Sequence, residues 1–232
     1  MCTGYVWERA RQKRRHAAAA EAPAVSRRGP DEKRLRPPPG GDFWVFGYGS
    51  LLWHPGFPHL EVRPAHVYGY HRHFCIYSHR YRGTRGRPGL VLGLDRGGSC
   101  WGLVYRVPAG EAEEVVAYLH EREMTTEVYD PRWLHMRTRE GPVMAVAFVV
   151  DRGNKQYAGR LPLDRVADMI VQGDGDRGSC QQYLENTVRH LEALGLSDPT
   201  LRRLLRLVHA RIGRETQTHL EWPQEVQRSQ PS

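Results

Sequence analysis

Apolar positions change their spacing along this chain, and the change separates strand-like from helix-like segments. Phe43-Trp44-Val45-Phe46 is a short apolar, aromatic run that stops at Gly47. Such a run marks a buried strand. Alternation or short apolar runs predict further strands over 66–77, 90–95, 101–107, 133–139 and 143–150. A helix is predicted over about 110–123. A second starts at Pro162, where the fixed φ of proline suits a first helical position. A third spans about 180–194 and stops at Gly195. Ser197-Asp198-Pro199 caps a fourth, with Leu201, Leu204, Leu205, Val208 and Ile212 on one face. Strands mostly precede helices, without regular strand–helix alternation. The pattern predicts an α+β fold with a largely antiparallel sheet or small barrel.

One position breaks the helical pattern. At 100° per residue, Ala112, Val115, Val116, Leu119 and Glu123 share a stripe, whereas Glu111, Glu113, Glu114 and Glu121 fall on the solvent side. Glu123 thus points where the core should be. Burial raises a carboxylate pKa because the charged form loses hydration, and a helix C-terminus adds to the effect. A glutamate so placed suits a general base. Pairing with the adjacent Arg122 would oppose the shift. The alternative is a last-turn glutamate that simply turns out to water.

Gly47-Tyr48-Gly49-Ser50 follows the first strand directly. Two glycines allow φ > 0 and close approach of a ligand. Consecutive N–H groups in such a turn can cradle an anion or a developing oxyanion. A tight turn without a ligand is the other reading. A dinucleotide fingerprint fits poorly, since the third glycine position holds Leu52 and no helix is evident before Pro55.

Composition restricts the classes. Of 232 residues, 40% are hydrophobic, enough for a sizeable core. No apolar run approaches the roughly 18–20 residues that span a bilayer, so a soluble, non-membrane protein is expected. The formal charge is +8, but residues 1–40 hold ten Arg or Lys against four Asp or Glu, leaving only about +2 for the rest. Arg, Ala and Pro dominate 1–41, which reads as a disordered basic tail closed by Pro37-Pro38-Pro39-Gly40-Gly41. The folded domain is expected over 42–215, with a polar tail over 216–232. Nucleic-acid binding is not expected, because aromatics do not alternate with base-reading side chains. Cys2, Cys75, Cys100 and Cys180 are scattered without a CxxC pair, which predicts reduced thiols in the cytoplasm. His71, His73 and Cys75 share a strand face, with His66 and His79 nearby, but match no common zinc spacing. Cys75 makes a poor nucleophile pair with histidines on its own strand. No GxSxG motif is present.

Taken together, four motifs resemble the ChaC family of glutathione-specific γ-glutamylcyclotransferases. They are Trp44-Val45-Phe46-Gly47-Tyr48-Gly49-Ser50-Leu51-Leu52-Trp53, Trp101-Gly102-Leu103-Val104-Tyr105-Arg106-Val107-Pro108, Arg122-Glu123 and Gln182-Tyr183-Leu184. Their order, and the roughly seventy residues between turn and glutamate, make the resemblance specific over about 43–213. His71-Arg72, Phe74-Cys75, and Met124 leading to Tyr129, Pro131 and Trp133 look nearest to bacterial members. The resemblance implies a γ-glutamylcyclotransferase-like fold, a small mixed β-barrel flanked by helices. It implies cleavage of glutathione to 5-oxoproline and cysteinylglycine, with no cofactor and no metal. It places the γ-glutamyl group against Gly47, Tyr48, Gly49, Ser50, Leu51 and Leu52, the catalytic carboxylate at Glu123, and Tyr183 beside the substrate. Two positions depart from the family pattern. Leu90 replaces the arginine of Gly-Lys-Pro-Gly-Arg, and Cys180 stands where asparagine is common. Both are expected to mark the far, cysteinylglycine end of the pocket. A cyclotransferase for another γ-glutamyl compound and a non-enzymatic binding module are the rival readings.

Overall fold

The computed structural model describes residues 35–37, 40–124 and 126–220, with side chains to 214. The predicted tails fall largely outside them. Where they do not, the fold reaches further than expected. Leu35 is buried in the core, and the last helix runs to Leu220.

Five strands close into a barrel: β1 (Phe43–Gly47), β2 (Glu61–Ser78), β3 (Gly89–Val107), β4 (Tyr129–Thr138) and β5 (Gly141–Val150). Their order is β1-β3-β2-β4-β5, and β5 returns to pair with β1 and touch β3. The sheet is mixed: β1–β3, β3–β2, β2–β4 and β4–β5 are antiparallel, whereas β5 runs parallel to β1. The segments expected as two strands, 90–95 and 101–107, form one bent strand. Gly97 and Gly98 supply the bend with φ of 99° and 69°, a region closed to most side chains. Opposite them the register slips between Tyr68 and Tyr70. Bulges of this kind curve long strands enough for closure.

Both faces of the sheet are covered, and Val45, Phe46, Leu92, Val104, Val146 and Phe148 belong to the core, each at most 1% exposed. Helix α1 (Ala112–Leu119) ends in a π-helical turn, His120–Met124. Helices α2 (Leu163–Gln172), α3 (Cys180–Ala193) and α4 (Pro199–Leu220) pack against one another and against the barrel. Pro162 sits just before α2 and not within it, its carbonyl accepting the Val166 N–H at 3.0 Å. Asp198 caps α4 as the sequence predicts, its Oδ1 accepting from Leu201 N at 3.0 Å. Among the described residues, no helix is long and apolar enough to cross a membrane.

Candidate active site

Strand β1 delivers the glycine turn to the end of the barrel. Ser50–Leu52 form a single 3-10 turn whose first bond runs from Leu52 N to Gly49 O at 2.9 Å. The N–H groups of Ser50 and Leu51 precede that bond and have no partner within the turn. Neither Gly47 nor Gly49 takes a positive φ; Gly49 lies at φ −126°, ψ −125°. The turn is therefore not a nest of left-handed glycines, as the sequence suggested. Its glycines provide room. A Cβ on Gly49 would lie 2.9 Å from Tyr183 Oη, and one on Gly47 would lie 2.9 Å from Leu51 Cβ.

The turn is held by its own carbonyls. Arg72 Nη1 donates to Tyr48 O at 2.9 Å, and Asp198 Oδ2 accepts from Arg72 Nε and Nη2 at 3.1 and 3.0 Å. The cap of α4 thus also anchors the turn. Tyr105 Oη donates to Leu51 O at 2.6 Å, and burial pushes the Tyr105 pKa up to about 12, which keeps it a donor. Tyr48 Oη donates to Phe148 O at 2.7 Å across the barrel.

Glu123 arrives from the opposite side. Ala112, Val115 and Leu119 are buried, as the stripe predicts. Beyond Leu119 the π turn widens the coil and shifts the faces. Met124 takes the inward position at 6% exposure, and Glu123 lines a cavity with its side chain 16% exposed. Periodicity placed Glu123 on the packed core, whereas it faces a chamber. π turns recur at functional sites because they re-aim side chains in this way.

Arg122 does pair with Glu123, from Nε to Oε1 at 3.1 Å. Its other nitrogens bond His54 O at 2.6 Å, Tyr118 Oη at 2.7 Å and Ser50 Oγ at 2.9 Å. One guanidinium therefore fastens the carboxylate to the turn. Burial still dominates: it raises the Glu123 pKa above the ordinary carboxylate value, against the smaller lowering effects of Arg122 and Arg177.

Tyr48, Gly49, Ser50, Leu51, Glu123 and Tyr183 line a narrow chamber of about 20 Å³, with Tyr129 in its wall. That volume admits one small polar group at a time. Gly47 and Leu52 support the turn from outside the wall. Tyr129, whose hydroxyl donates to Leu92 O at 2.9 Å, had no role assigned from sequence, where it lies before the strand predicted over 133–139. The chamber opens through Ser50, Glu123, Tyr129 and Tyr183 into a cleft of about 930 Å³. Arginines dominate that cleft, and sequence reasoning missed them. For three of them, Arg80, Arg82 and Arg85, the signal was local, an arginine-dense run before β3 hidden by the arginine-rich composition.

Leu90 and Cys180 line neither cavity. Both are fully buried, and Cys180 Sγ donates to Arg82 O at 3.1 Å and Leu90 O at 3.2 Å. They lie behind the wall, so the expectation that they mark the far end of the pocket does not hold. Burial also pushes the Cys75 thiol up to about 12, far from thiolate chemistry. His71 stacks on His73 at 4.7 Å, and His73 Nε2 bonds Asp95 Oδ2 at 3.2 Å.

Comparison with known proteins places this geometry in a family. The pattern described as "ChaC-like protein" matches residues 43–211. A glutathione-specific gamma-glutamylcyclotransferase of Escherichia coli (strain K12) is 35% identical over 169 residues, covering 72% of this chain and 73% of that one. The Schizosaccharomyces pombe protein of the same description is 35% identical over 178 residues, covering 66% of this chain and 86% of its own. The crystal structure of a yeast gamma-glutamyl cyclotransferase specific to glutathione superposes with a TM-score of 0.69 at 23% identity, over 73% of this chain and 96% of that one. The fold is that of the γ-glutamylcyclotransferases, a small mixed barrel flanked by helices. With the match spanning the turn, the π-turn glutamate and the helix that carries Tyr183, the chain belongs to the ChaC-like family.

Proposed function

We propose that the protein cleaves glutathione to 5-oxoproline and cysteinylglycine, with Glu123 as the proton-transfer group. One observation carries this reading: a largely buried carboxylate of raised pKa faces the Tyr48–Leu51 turn across a narrow chamber. The curated relatives named above, described as glutathione-specific, support it.

The substrate α-amine attacks its own γ-carbonyl carbon. A C–N bond forms, a five-membered ring closes, and the amide bond to the cysteine nitrogen breaks. Amine and carbonyl are already tethered, so the protein mainly selects a near-attack conformer. The α-nitrogen loses two protons. The first leaves the ammonium to solvent before attack. The second is taken by Glu123 once that nitrogen is bonded to the carbonyl carbon and is returned to the departing nitrogen, which leaves as the free amine. Such positioned acid–base catalysis is worth roughly 10²–10⁴-fold. The Ser50 and Leu51 N–H groups are the candidate donors to the γ-carbonyl oxygen as it gains charge. Tyr183 and the backbone of Gly49 bound the γ-glutamyl group, and Gly47 and Leu52 hold the turn in place. Every step uses groups of this chain and its substrate, so no cofactor or metal is required. Three buried free thiols, Cys75, Cys100 and Cys180, fit a reducing, cytoplasmic setting.

Incubation of the purified protein with glutathione tests the reading. Equimolar 5-oxoproline and cysteinylglycine are expected. Failure to release 5-oxoproline from any γ-glutamyl substrate overturns it. Release from γ-glutamylamines or other γ-glutamyl dipeptides in preference to glutathione replaces it with the broader activity.

A further inference from the structure

The cleft outside the chamber is strongly basic. Arg80, Arg82, Arg85, Arg122 and Arg177 line it, and Glu123 is the single carboxylate in its wall among the described residues. Two of the arginines are neutralised. Arg122 pairs with Glu123, and Arg80 Nε meets Asp176 Oδ2 at 3.0 Å. Arg82 and Arg177 differ. Arg82 Nη1 donates to Ser179 O at 3.2 Å and its guanidinium lies 5.3 Å from the Tyr183 ring centroid. Arg177 lies 4.2 Å over the Tyr81 ring. Their contacts are a carbonyl and aromatic faces, with no carboxylate in ion-pair range among the described residues.

Arg82 is also a built position. Its backbone N–H donates to Ser78 Oγ at 2.9 Å, and its carbonyl accepts from Cys180 Sγ at 3.1 Å. A Cβ on Gly89 would collide with that same carbonyl, so the chain is packed tightly around it. Burial lowers the Arg82 pKa, and it outweighs the opposing pull of Tyr183, Cys180 and Asp174, none of which pairs directly with the guanidinium. A partly dehydrated, unneutralised guanidinium at a cleft wall is a site for an incoming anion.

The position suits one anion in particular. Tyr183 joins the two cavities, with its hydroxyl side against Gly49 in the chamber and its ring under Arg82 in the cleft. A dipeptide spans at most about 7 Å. With the γ-carbonyl at the turn, the terminal carboxylate of a two-residue leaving group reaches the mouth where Arg82 stands.

We propose that Arg82 and Arg177 form a carboxylate subsite that selects γ-glutamyl peptides with a free C-terminal carboxylate over γ-glutamylamines and C-terminal amides. This rests on the activity proposed above and names what the cleft adds to it. The two arginines are specificity residues, not participants in the proton transfers.

The test compares glutathione with its C-terminal glycine amide. In steady-state release of 5-oxoproline by the full chain, amidation is expected to raise KM about 10–100-fold, the scale of losing a charge-assisted pair, and to change kcat less. Arg82→Gln and Arg177→Gln are expected to raise KM for glutathione while leaving KM for the amide nearly unchanged. In the double variant the two substrates converge. Equal KM values in the unmodified protein overturn the subsite, and that comparison needs no variant to fold. Calorimetric binding of both ligands to Glu123→Gln reads the subsite without turnover. Preferential binding of the acid supports it even if no 5-oxoproline is ever released, whereas equal binding sinks it. Failure of the subsite and failure of the activity are thereby told apart.

Discussion

The chamber and the cleft meet at four residues and differ in nearly everything else. The chamber is about 20 Å³, lined by the turn, Glu123 and aromatic rings, and the Tyr48 and Tyr129 hydroxyls are committed to backbone carbonyls. The cleft is about 930 Å³ and lined by guanidinium groups. A carboxylate surrounded by arginines in open solvent would be depressed in pKa and useless as a base near neutrality. Glu123 escapes this because desolvation in the chamber outweighs the pull of Arg122 and Arg177. The division teaches that the two proposed roles, proton transfer at Glu123 and carboxylate recognition at Arg82 and Arg177, require different surroundings. Tyr183 and Tyr129 narrow the opening at which the two cavities share Glu123.

The strongest way to break that distinction is to alter one side and look for the kinetic signature of the other. Glu123→Gln keeps the shape and removes the proton transfer proposed for Glu123. We expect kcat to fall roughly 10²–10⁴-fold with KM for glutathione within a few-fold. A variant that acts mainly through KM would place Glu123 in binding instead. Gly49→Ala is the next largest. Its Cβ would meet Tyr183 Oη at 2.9 Å, and the Tyr183 ring cannot swing freely between Trp53, Phe74 and Arg82. Misplacement of about 1 Å costs on the order of 10²-fold in rate. Combining Gly49→Ala with Tyr183→Phe removes the colliding oxygen and should recover part of the loss in kcat. A double variant no better than Gly49→Ala alone would show that the close approach is not the cause.

How much of this was legible in the sequence depended on whether the signal was periodic. The strands and helices were, because the barrel buries alternate residues and the helices bury one stripe. The bend at Gly97-Gly98 hid the unity of β3, since two glycines punctuate a sequence whether or not the strand continues. Glu123 was visible as a break in a 3.6-residue pattern, but a π turn leaves no mark in composition, so its true direction was not. Gly49 was visible as a glycine, whereas its reason lies 134 positions away at Tyr183. The Arg72–Asp198 anchor and the arginine-lined cleft join residues that are distant in sequence, and no local pattern encodes such meetings.

Arg122 spans both regions, and its removal should sharpen the comparison more gently. Its guanidinium lowers the Glu123 pKa and also bonds Ser50 Oγ. In Arg122→Gln the lowering influence is lost, so the Glu123 pKa rises further. A base must be unprotonated to act, so the acidic limb of kcat/KM should move to higher pH, alongside a moderate loss of kcat from the loosened turn. A limb that stays in place would mean that the measured ionisation belongs to another group.

The smallest expected effect concerns stability. A carboxylate whose folded pKa is raised resists ionisation in the native state but not in the unfolded chain. Below about pH 4 both states hold the proton, and the site carries no penalty. As pH rises, the unfolded chain ionises first and gains relative stability, until the folded carboxylate ionises too and the penalty levels off. Glutamine resembles the protonated form at every pH. It can still accept from Arg122 Nε, and Arg122 keeps its bonds to His54 O, Tyr118 Oη and Ser50 Oγ. The raised pKa already includes the attraction of Arg122, so the net sign favours the neutral side chain. Glu123→Gln should therefore melt with the unmodified protein at low pH and a few degrees above it near neutrality. Thermal melts across that range measure the difference. A lower Tm for the variant at neutral pH would mean that Glu123 is held as a stabilised anion, and that the chamber is electrostatically part of the cleft.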